Sequence, residues 1–507
     1  MTTKQKNAQY IESFEKKLWG SACILRGNMD ASEYKQIILG LIFLKYISDS
    51  FEKCYQELVL EGDGFENDPD AYLCQNIFYV PKEARWSVIA QDAHNLTIGQ
   101  TIDNAMQAIE KNNPSLKGIL PKTFSRMELD KRRLGSVVDI FTNSSSMVAA
   151  NNISDVLGRA YEYCLAKFAE QEGRLAGEFY TPACIVKTLV EVIKPYKGRV
   201  YDPCCGSGGM FVQSTKFIAN HAGNLNDVSI YGQDSNPTTW KLCRMNLAIR
   251  GISADLGQFN ADTFLDDCHP TLKADYILAN PPFNLSNWGT EYLQADARWQ
   301  YGVPPANNAN FAWMQHMIYH LKGNGKIGLV LANGSLSSQN SSENKIRKNI
   351  VLADLVECII AMPPQLFYTT KIPVSLWFLN NNKTRKKQTL FIDAREMGYM
   401  LTRKLRKLSD TDISKIAFTV DSFQKNENYQ DISGFCAIAT TQEIAEQDYI
   451  LTPGRYVGKK PLDDDKNQEP FNEKMSKLTK ELAENLQQCS ELDQKIKQSL
   501  QGLGYEI

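Results

Sequence analysis

Asn280, Pro281, Pro282 and Phe283 follow the apolar stretch Ala274–Ala279, so an amide, two prolines and an aromatic ring fall at the carboxyl end of an expected strand. Adjacent prolines cannot continue a strand or enter a helix interior, and they leave a stiff loop whose carbonyls are free to accept hydrogen bonds. The Asn280 side chain adds an acceptor and Phe283 a flat face. The set suits a planar group bearing an exocyclic amine, with two acceptors for its N–H hydrogens and a ring against its face. Taken alone, a strand-ending Asn-Pro turn with a core phenylalanine accounts for the same residues.

A second constellation lies upstream. Arg199–Tyr201 leads into Asp202-Pro-Cys-Cys-Gly206-Ser207-Gly208-Gly209 and then Met210–Ile218, which reads as strand, glycine turn and helix. Such a turn lets a ligand approach the backbone and presents helix N-terminal amides to it. The spacing is neither that of a dinucleotide fold nor that of a P-loop. The next expected strand, Val228–Gln233, ends at Asp234, where an acid of a βαβ unit commonly takes ribose hydroxyls. Asp262 follows the apolar helix Trp240–Ile249. Each acid by itself also reads as a helix cap or loop carboxylate; the repeated series of strand, acid, turn and helix ahead of Asn280 is the informative feature.

In this order, Asp202-Pro-Cys-Cys-Gly-Ser-Gly-Gly209, Asp234, Asp262 and Asn280-Pro-Pro-Phe283 resemble the motifs of S-adenosylmethionine-dependent DNA adenine methyltransferases. Gly177-Glu178-Phe179-Tyr180-Thr181-Pro182 resembles the cofactor-binding segment that precedes the glycine motif in the γ order of that family. More narrowly, the chain resembles the methylase (M) subunit of type I restriction-modification systems. Supporting stretches are Tyr34–Phe51, Tyr231–Ile252, Asp296–Gly302, Asn310–Trp313, Asn333–Ser337 and Leu366–Ile372, and the resemblance runs from about residue 10 to 460. Asp234 stands where the family often has Glu, and Cys204-Cys205 where small residues are usual.

The resemblance implies a role for each position. Asn280 and the Pro281 carbonyl would accept the amine hydrogens of a flipped adenine, on the stiff Pro281-Pro282 loop, while Phe283 stacks on the base. Glu178, Phe179, Tyr180, Thr181 and Pro182, with Gly206, Ser207, Gly208 and Gly209, would meet the methionine end of S-adenosylmethionine. Asp202 would meet its ammonium, Asp234 its ribose and Asp262 its adenine amine. The implied partners are DNA, a specificity (S) subunit carrying two M subunits, and a restriction (R) subunit. Two other functions share the motif or the assembly: methylation of a protein glutamine amide, and a non-catalytic scaffold subunit.

The elements around these motifs predict an α/β protein: a Rossmann-like methyltransferase domain with a mostly parallel, doubly wound sheet, an all-helical N-terminal domain and a C-terminal helical tail. The expected division is a helical domain at 1–150, the methyltransferase domain at 151–400, a mixed extension and linker at 401–470 and a partner-binding helix at 471–507. Asp30–Glu33 reads as a capping box, and Ile37, Leu41, Leu44, Ile47 and Phe51 share one helical face. Residues 57–76 read as a loop, and Lys383–Lys387 as a basic turn between strands. Later strands are expected at Lys326–Leu331, Leu355–Ile360 and Val374–Leu379.

A length of 507 residues suits roughly two to four domains. No run approaches a membrane span, and the expectation is a cytoplasmic enzyme with no membrane partner. Twelve scattered cysteines and five histidines lack metal-site spacing, so reduced thiols and no metal are expected. DNA affinity rests largely on phosphate neutralisation, and a formal net charge of −2 points to a partner that brings the duplex. Phe471, Met475, Leu478, Leu482, Asn485, Cys489, Leu492, Ile496 and Ser499 recur in steps of three and four, a heptad seam for a helical partner.

Overall fold

The structure is a computed structural model that describes residues 15–16, 18–20, 23, 25, 31–145, 153–172, 180–221, 223–367, 372–459 and 471–502. Residues 1–458 form one compact unit and residues 459–507 another.

In the N-terminal part, α1 (Ala31–Glu61), α2 (Ile98–Asn112), α3 (Lys131–Ser145) and α4 (Ile153–Glu172) surround one apolar core. α1 is buried on more than the expected face: Ile38, Leu39, Ile42 and Phe43 are as inaccessible as Ile37, Leu41 and Phe51. A helix apolar on all sides is surrounded by other elements, and α4 supplies one of them, with the Phe168 ring 5.2 Å from Tyr34. The stretch expected as a loop at 57–76 departs from that reading at both ends. α1 continues to Glu61, and Pro69–Leu73 forms a short helix with proline at its start and Asp68 as its cap. Asp30 of the expected capping box lies outside the described residues.

The rest of the unit is built on β1 (Gly198–Asp202), β2 (Val228–Gly232), β3 (Ala254–Asp255), β4 (Ala274–Ala279), β5 (Leu321–Ala332), β6 (Val356–Ala361), β7 (Val374–Asn380), β8 (Gln388–Asp393) and β9 (Cys436–Thr440). They form a sheet of order β9-β8-β6-β7-β5-β4-β1-β2-β3, in which only β7 and β9 run antiparallel to their neighbours. Successive strand residues face opposite sides, and two cores result. Val200, Leu278 and Ile360 pack toward α5 (Ala183–Ile193) and α6 (Gly209–Asn220), while Tyr201, Ile277 and Ile359 pack on the opposite side. α7 (Pro237–Ala248) joins the first core to the N-terminal helices, and Tyr161 of α4 donates to the Leu242 carbonyl at 3.2 Å. α8 (Asn310–Tyr319) and α9 (Ser341–Leu352) cover the second core, and α10 (Asp410–Lys425) completes the first. This is the doubly wound arrangement expected from the sequence.

The sheet runs past residue 400, because β9 pairs with β8 over Cys436–Thr440 and covers what would otherwise be an open edge. The basic run Lys383–Lys387 lies in the turn from β7 to β8, as expected, although β6 separates those two strands in the sheet. Lys383 is buried against Asp354 and the Val356 and Gln388 carbonyls, and Arg385 donates to the Phe423 carbonyl at 3.0 Å. In the second unit α11 (Phe471–Gly502) is a single helix on which Met475, Leu478, Leu482, Leu486 and Leu492 are exposed. No helix among the described residues is long and apolar enough to cross a membrane.

Candidate active site

Parallel pairing sets the site. Asp202 at the end of β1 lies in register with Gly232 at the end of β2, and Tyr201 pairs with Ile277 of β4. The carboxyl ends of three adjacent strands therefore hold Asp202, Asp234 and Asn280 on one edge, where open α/β sheets bind ligands. Between them the chain turns with Gly206 at φ 55° and Gly208 at φ 80°, backbone that L side chains rarely adopt. A side chain at Gly208 would also meet Cys243 Sγ at 2.9 Å, so α6 starts against α7 without room for one. Thr181, Asp202, Gly206, Ser207, Gly209 and Asn280 line one pocket with Cys204, Cys205 and Met210.

Asp234 locks this turn. One carboxylate oxygen accepts the Gly206 N–H at 3.0 Å and the other the Asn236 N–H at 2.9 Å. Asn236 in turn caps α7 through the Thr238 and Thr239 amides. Asp202 is buried and accepts the Cys204 N–H at 3.0 Å. Burial pushes its carboxyl up to about 7, with Asp234 adding to the rise and the Cys204 amide opposing it. The Cys204 thiol is pushed up by burial and by the same two acids, so it is held neutral.

Asn280 Nδ2 donates to Thr181 Oγ1 at 2.9 Å, and Asn280 Oδ1 is buried without a hydrogen-bond partner. A buried acceptor left unmet costs about 1 to 3 kcal/mol, which a donor arriving from a ligand would recover. Pro281 is buried and Pro282 half-buried, and the half-buried Phe283 ring stands edge-on to Phe367 at 5.7 Å. Asp262 joins the edge through its neighbour, because the Ala261 N–H donates to the Asp234 carbonyl at 3.0 Å. Its carboxylate caps the following turn through the Phe264 and Leu265 amides. Pro182 opens α5 and Tyr180 packs against the N-terminal core; Glu178 and Phe179 lie outside the described residues.

Supports appear that the sequence reading had not assigned. Arg298 is buried and donates to the Thr263 and Phe264 carbonyls at 3.1 and 2.6 Å, so it braces the Asp262 turn. Asn310 accepts the Asn284 N–H at 3.1 Å and donates to Asn284 Oδ1 at 2.9 Å, fixing the residue after Phe283 at φ 53°. Both lie in stretches already noted for their resemblance, but spacing alone assigns them no target.

Among the described residues, Asp267, His316 and His320 form the one grouping of metal-ligating types, with ligand atoms within 4.8 Å of one another. His320 is engaged by Asp267 at 2.9 Å and the Leu272 carbonyl at 3.0 Å. His316 meets Tyr201 at 3.1 Å and the Arg298 guanidinium at 3.2 Å. Burial holds His316 well below its ordinary pKa, and the adjacent guanidinium opposes a cation. These donors serve a buried hydrogen-bond network behind the Asp262 turn.

A family profile described as N-6 DNA Methylase matches residues 152–465, and one described as HsdM N-terminal domain matches residues 14–141. The Type I restriction enzyme HindI methylase subunit of Haemophilus influenzae is 49% identical over 447 residues, covering 84% of this chain and 100% of that protein. The MjaIX methylase subunit of Methanocaldococcus jannaschii is 38% identical over 518 residues, covering 97% and 92% of the two chains. A crystal structure of a type I restriction-modification methyltransferase subunit from Streptococcus thermophilus superposes with a TM-score of 0.74 at 25% identity, over 88% of this chain and 99% of that one. With the ordered motifs gathered on one sheet edge and these relatives spanning nearly their full lengths, the chain belongs to the N-6 DNA methylase family, among the methylase subunits of type I restriction enzymes.

Proposed function

We propose that this chain transfers a methyl group from S-adenosylmethionine to the exocyclic 6-amino group of adenine in DNA, as the modification subunit of a type I restriction-modification complex. The observation that carries the reading is the unpartnered Asn280 Oδ1, buried beside the glycine turn and next to a stacking ring. The pocket suits the cofactor. Asp202 offers a buried carboxyl to an ammonium, Gly206–Gly209 offer backbone approach to the methionine end, with Tyr180, Thr181 and Pro182 alongside, and Asp234 and Asp262 offer acceptors to the ribose and the adenine amine. When bound, the cofactor supplies an electrophilic methyl on a sulfonium.

Chemistry on a paired base requires its removal from the stack. Phe283 offers the extruded ring a face. Asn280 Oδ1 and the Pro281 carbonyl accept the two amine hydrogens, which draws the nitrogen toward tetrahedral geometry and frees its lone pair to take the methyl in line as the methyl's bond to sulfur breaks; the ammonium so formed then loses one of the two hydrogens to water. No strong base is needed, because the acceptors are aimed at a developing ammonium. Asn280 is held ready by Thr181, and Asn310 fixes the loop behind it. We assign DNA and a specificity subunit as partners, two copies of this chain to each specificity subunit, with a restriction subunit completing the complex. The exposed leucines of α11 suit a helical partner.

The deciding experiment is methyl transfer by the chain assembled with its specificity subunit. Asn280→Ala should abolish tritium transfer to duplex DNA and leave S-adenosylmethionine affinity within about twofold, since this acceptor serves the target. Phe283→Trp should retain part of the activity that Phe283→Ala loses. Normal transfer by Asn280→Ala would overturn the assignment.

A further inference from the structure

A short hairpin projects from the same sheet edge as the site. After β8, Tyr399–Met400 pairs antiparallel with Arg406–Lys407. From Gly398 to Leu408 the chain carries Arg403, Lys404, Arg406 and Lys407 and no acid. Arg403, Lys404 and Lys407 are exposed and make no ion pair among the described residues. Along its first strand and into the turn, Tyr399, Met400 and Leu401 are 48%, 43% and 52% exposed, apolar side chains among cations.

The hairpin is fixed in place. The Arg406 N–H donates to the Gln365 carbonyl at 2.8 Å, two residues before the Phe367 ring that abuts Phe283. The Arg406 guanidinium donates to the Met397 carbonyl at 3.0 Å. Gly398 sits at φ 81°, and a side chain there would also meet the Lys407 carbonyl at 2.6 Å, so glycine fits the hairpin's entry on both counts. On the other flank Lys187 pairs with Asp410 at 2.8 Å, which ties the hairpin's exit to α5, the helix that begins beside Thr181. β8 stands four strand positions from β4, about 19 Å, which spans about six phosphates of one DNA strand.

We propose that this hairpin is a DNA-binding element that grips the duplex backbone beside the extruded base through Arg403, Lys404 and Lys407. Charge complementarity selects the occupant: a chain of net charge −2 presents here a local excess of cations, next to the pocket that must receive a nucleotide. The basic run Lys383–Lys387 is less suited, because Lys383 and Arg385 are spent on internal contacts. The inference rests on the reading of the chain as a DNA methylase.

The test uses the full chain assembled with its specificity subunit and a fluorescein-labelled mixed-sequence DNA duplex, read by anisotropy across a salt series. The double substitution Arg403→Ala and Lys404→Ala should weaken binding about tenfold and lower the slope of log affinity against log salt by about 2, roughly one unit for each phosphate no longer neutralised. Lys407→Ala should lower it by about 1. S-adenosylmethionine affinity should stay at the wild-type value, which reports an intact fold. Exchanging the two cations, Arg403→Lys with Lys404→Arg, should preserve both affinity and slope. Unchanged affinity and slope in the double variant would overturn the proposal. If duplex binding falls on these substitutions as expected but the wild-type complex transfers no methyl group, the methylase reading alone is overturned; a wild-type complex that binds no duplex overturns both.

Discussion

Thr181 and Asn280, ninety-nine residues apart, share a hydrogen bond of 2.9 Å from Asn280 Nδ2 to Thr181 Oγ1. The contact fixes which end of the amide faces the pocket. With Nδ2 committed to the hydroxyl, Oδ1 is the atom presented to an incoming amine, and a flipped amide would offer a donor instead. Thr181→Val removes this control. The expected outcome is roughly a two- to twelvefold fall in the methylation rate at saturating DNA, about the 0.5 to 1.5 kcal/mol of one neutral hydrogen bond. Thr181→Ser should restore most of it.

Burial raises the Asp202 carboxyl to about 7 from an ordinary value of 3.8, and with Asp202 at the cofactor's ammonium, as proposed, S-adenosylmethionine binding should depend on pH. A carboxyl raised in the folded protein keeps its proton there while the unfolded chain loses it. Its contribution to stability is therefore fully present below about pH 4 and is lost as pH rises through about 7. An ammonium group favours the ionised form, so affinity for S-adenosylmethionine should move the other way. It should rise up to tenfold per pH unit below about 7 and level off above it. Calorimetry in buffers of differing ionisation enthalpy should show proton release on binding below about pH 7. Asp202→Asn should abolish both the release and the slope.

Asn310 is buried and bonds twice to Asn284, immediately behind the Asn280–Phe283 loop. Asn310→Leu removes both of its bonds to Asn284, an exposed residue whose carboxamide still accepts from Asn308 Nδ2 at 3.3 Å, a loss of about 0.5 to 1.5 kcal/mol for each hydrogen bond. The expected result is a lower melting temperature and a methylation rate reduced more than about tenfold, with cofactor affinity retained. Asn310→Asp keeps the acceptor for the Asn284 N–H and should recover part of the rate.

Removing residues 471–507 should abolish association with the specificity subunit in size-exclusion chromatography, while calorimetry finds S-adenosylmethionine affinity unchanged. α11 belongs to a compact unit separate from residues 1–458, and its Met475, Leu478, Leu482, Leu486 and Leu492 are exposed. Full assembly by the truncated chain would place the partner surface elsewhere.

Much of the molecule was legible in the order of its residues. Strand-length apolar runs ending in Asp202, Asp234 or Asn280 dictate strands with polar ends, and glycines at 206 and 208 dictate the turn, because these are local consequences of side-chain type. Helical periodicity likewise marked α1 and α11, though not that α1 is buried on nearly every side, which depends on how many neighbours surround it. The tertiary structure alone decided what these residues meet. Gly206 finds Asp234, Asn280 finds Thr181, and Asn310 finds Asn284 only because parallel pairing and chain reversal carry distant segments together. The same holds for the cations. In sequence Lys383–Lys387 and Arg403–Lys407 are similar basic runs, but folding buries Lys383 and ties Arg385 to the backbone while leaving Arg403 and Lys404 in solvent. Composition fixes how many charges a chain has; packing fixes which of them remain free to meet a ligand.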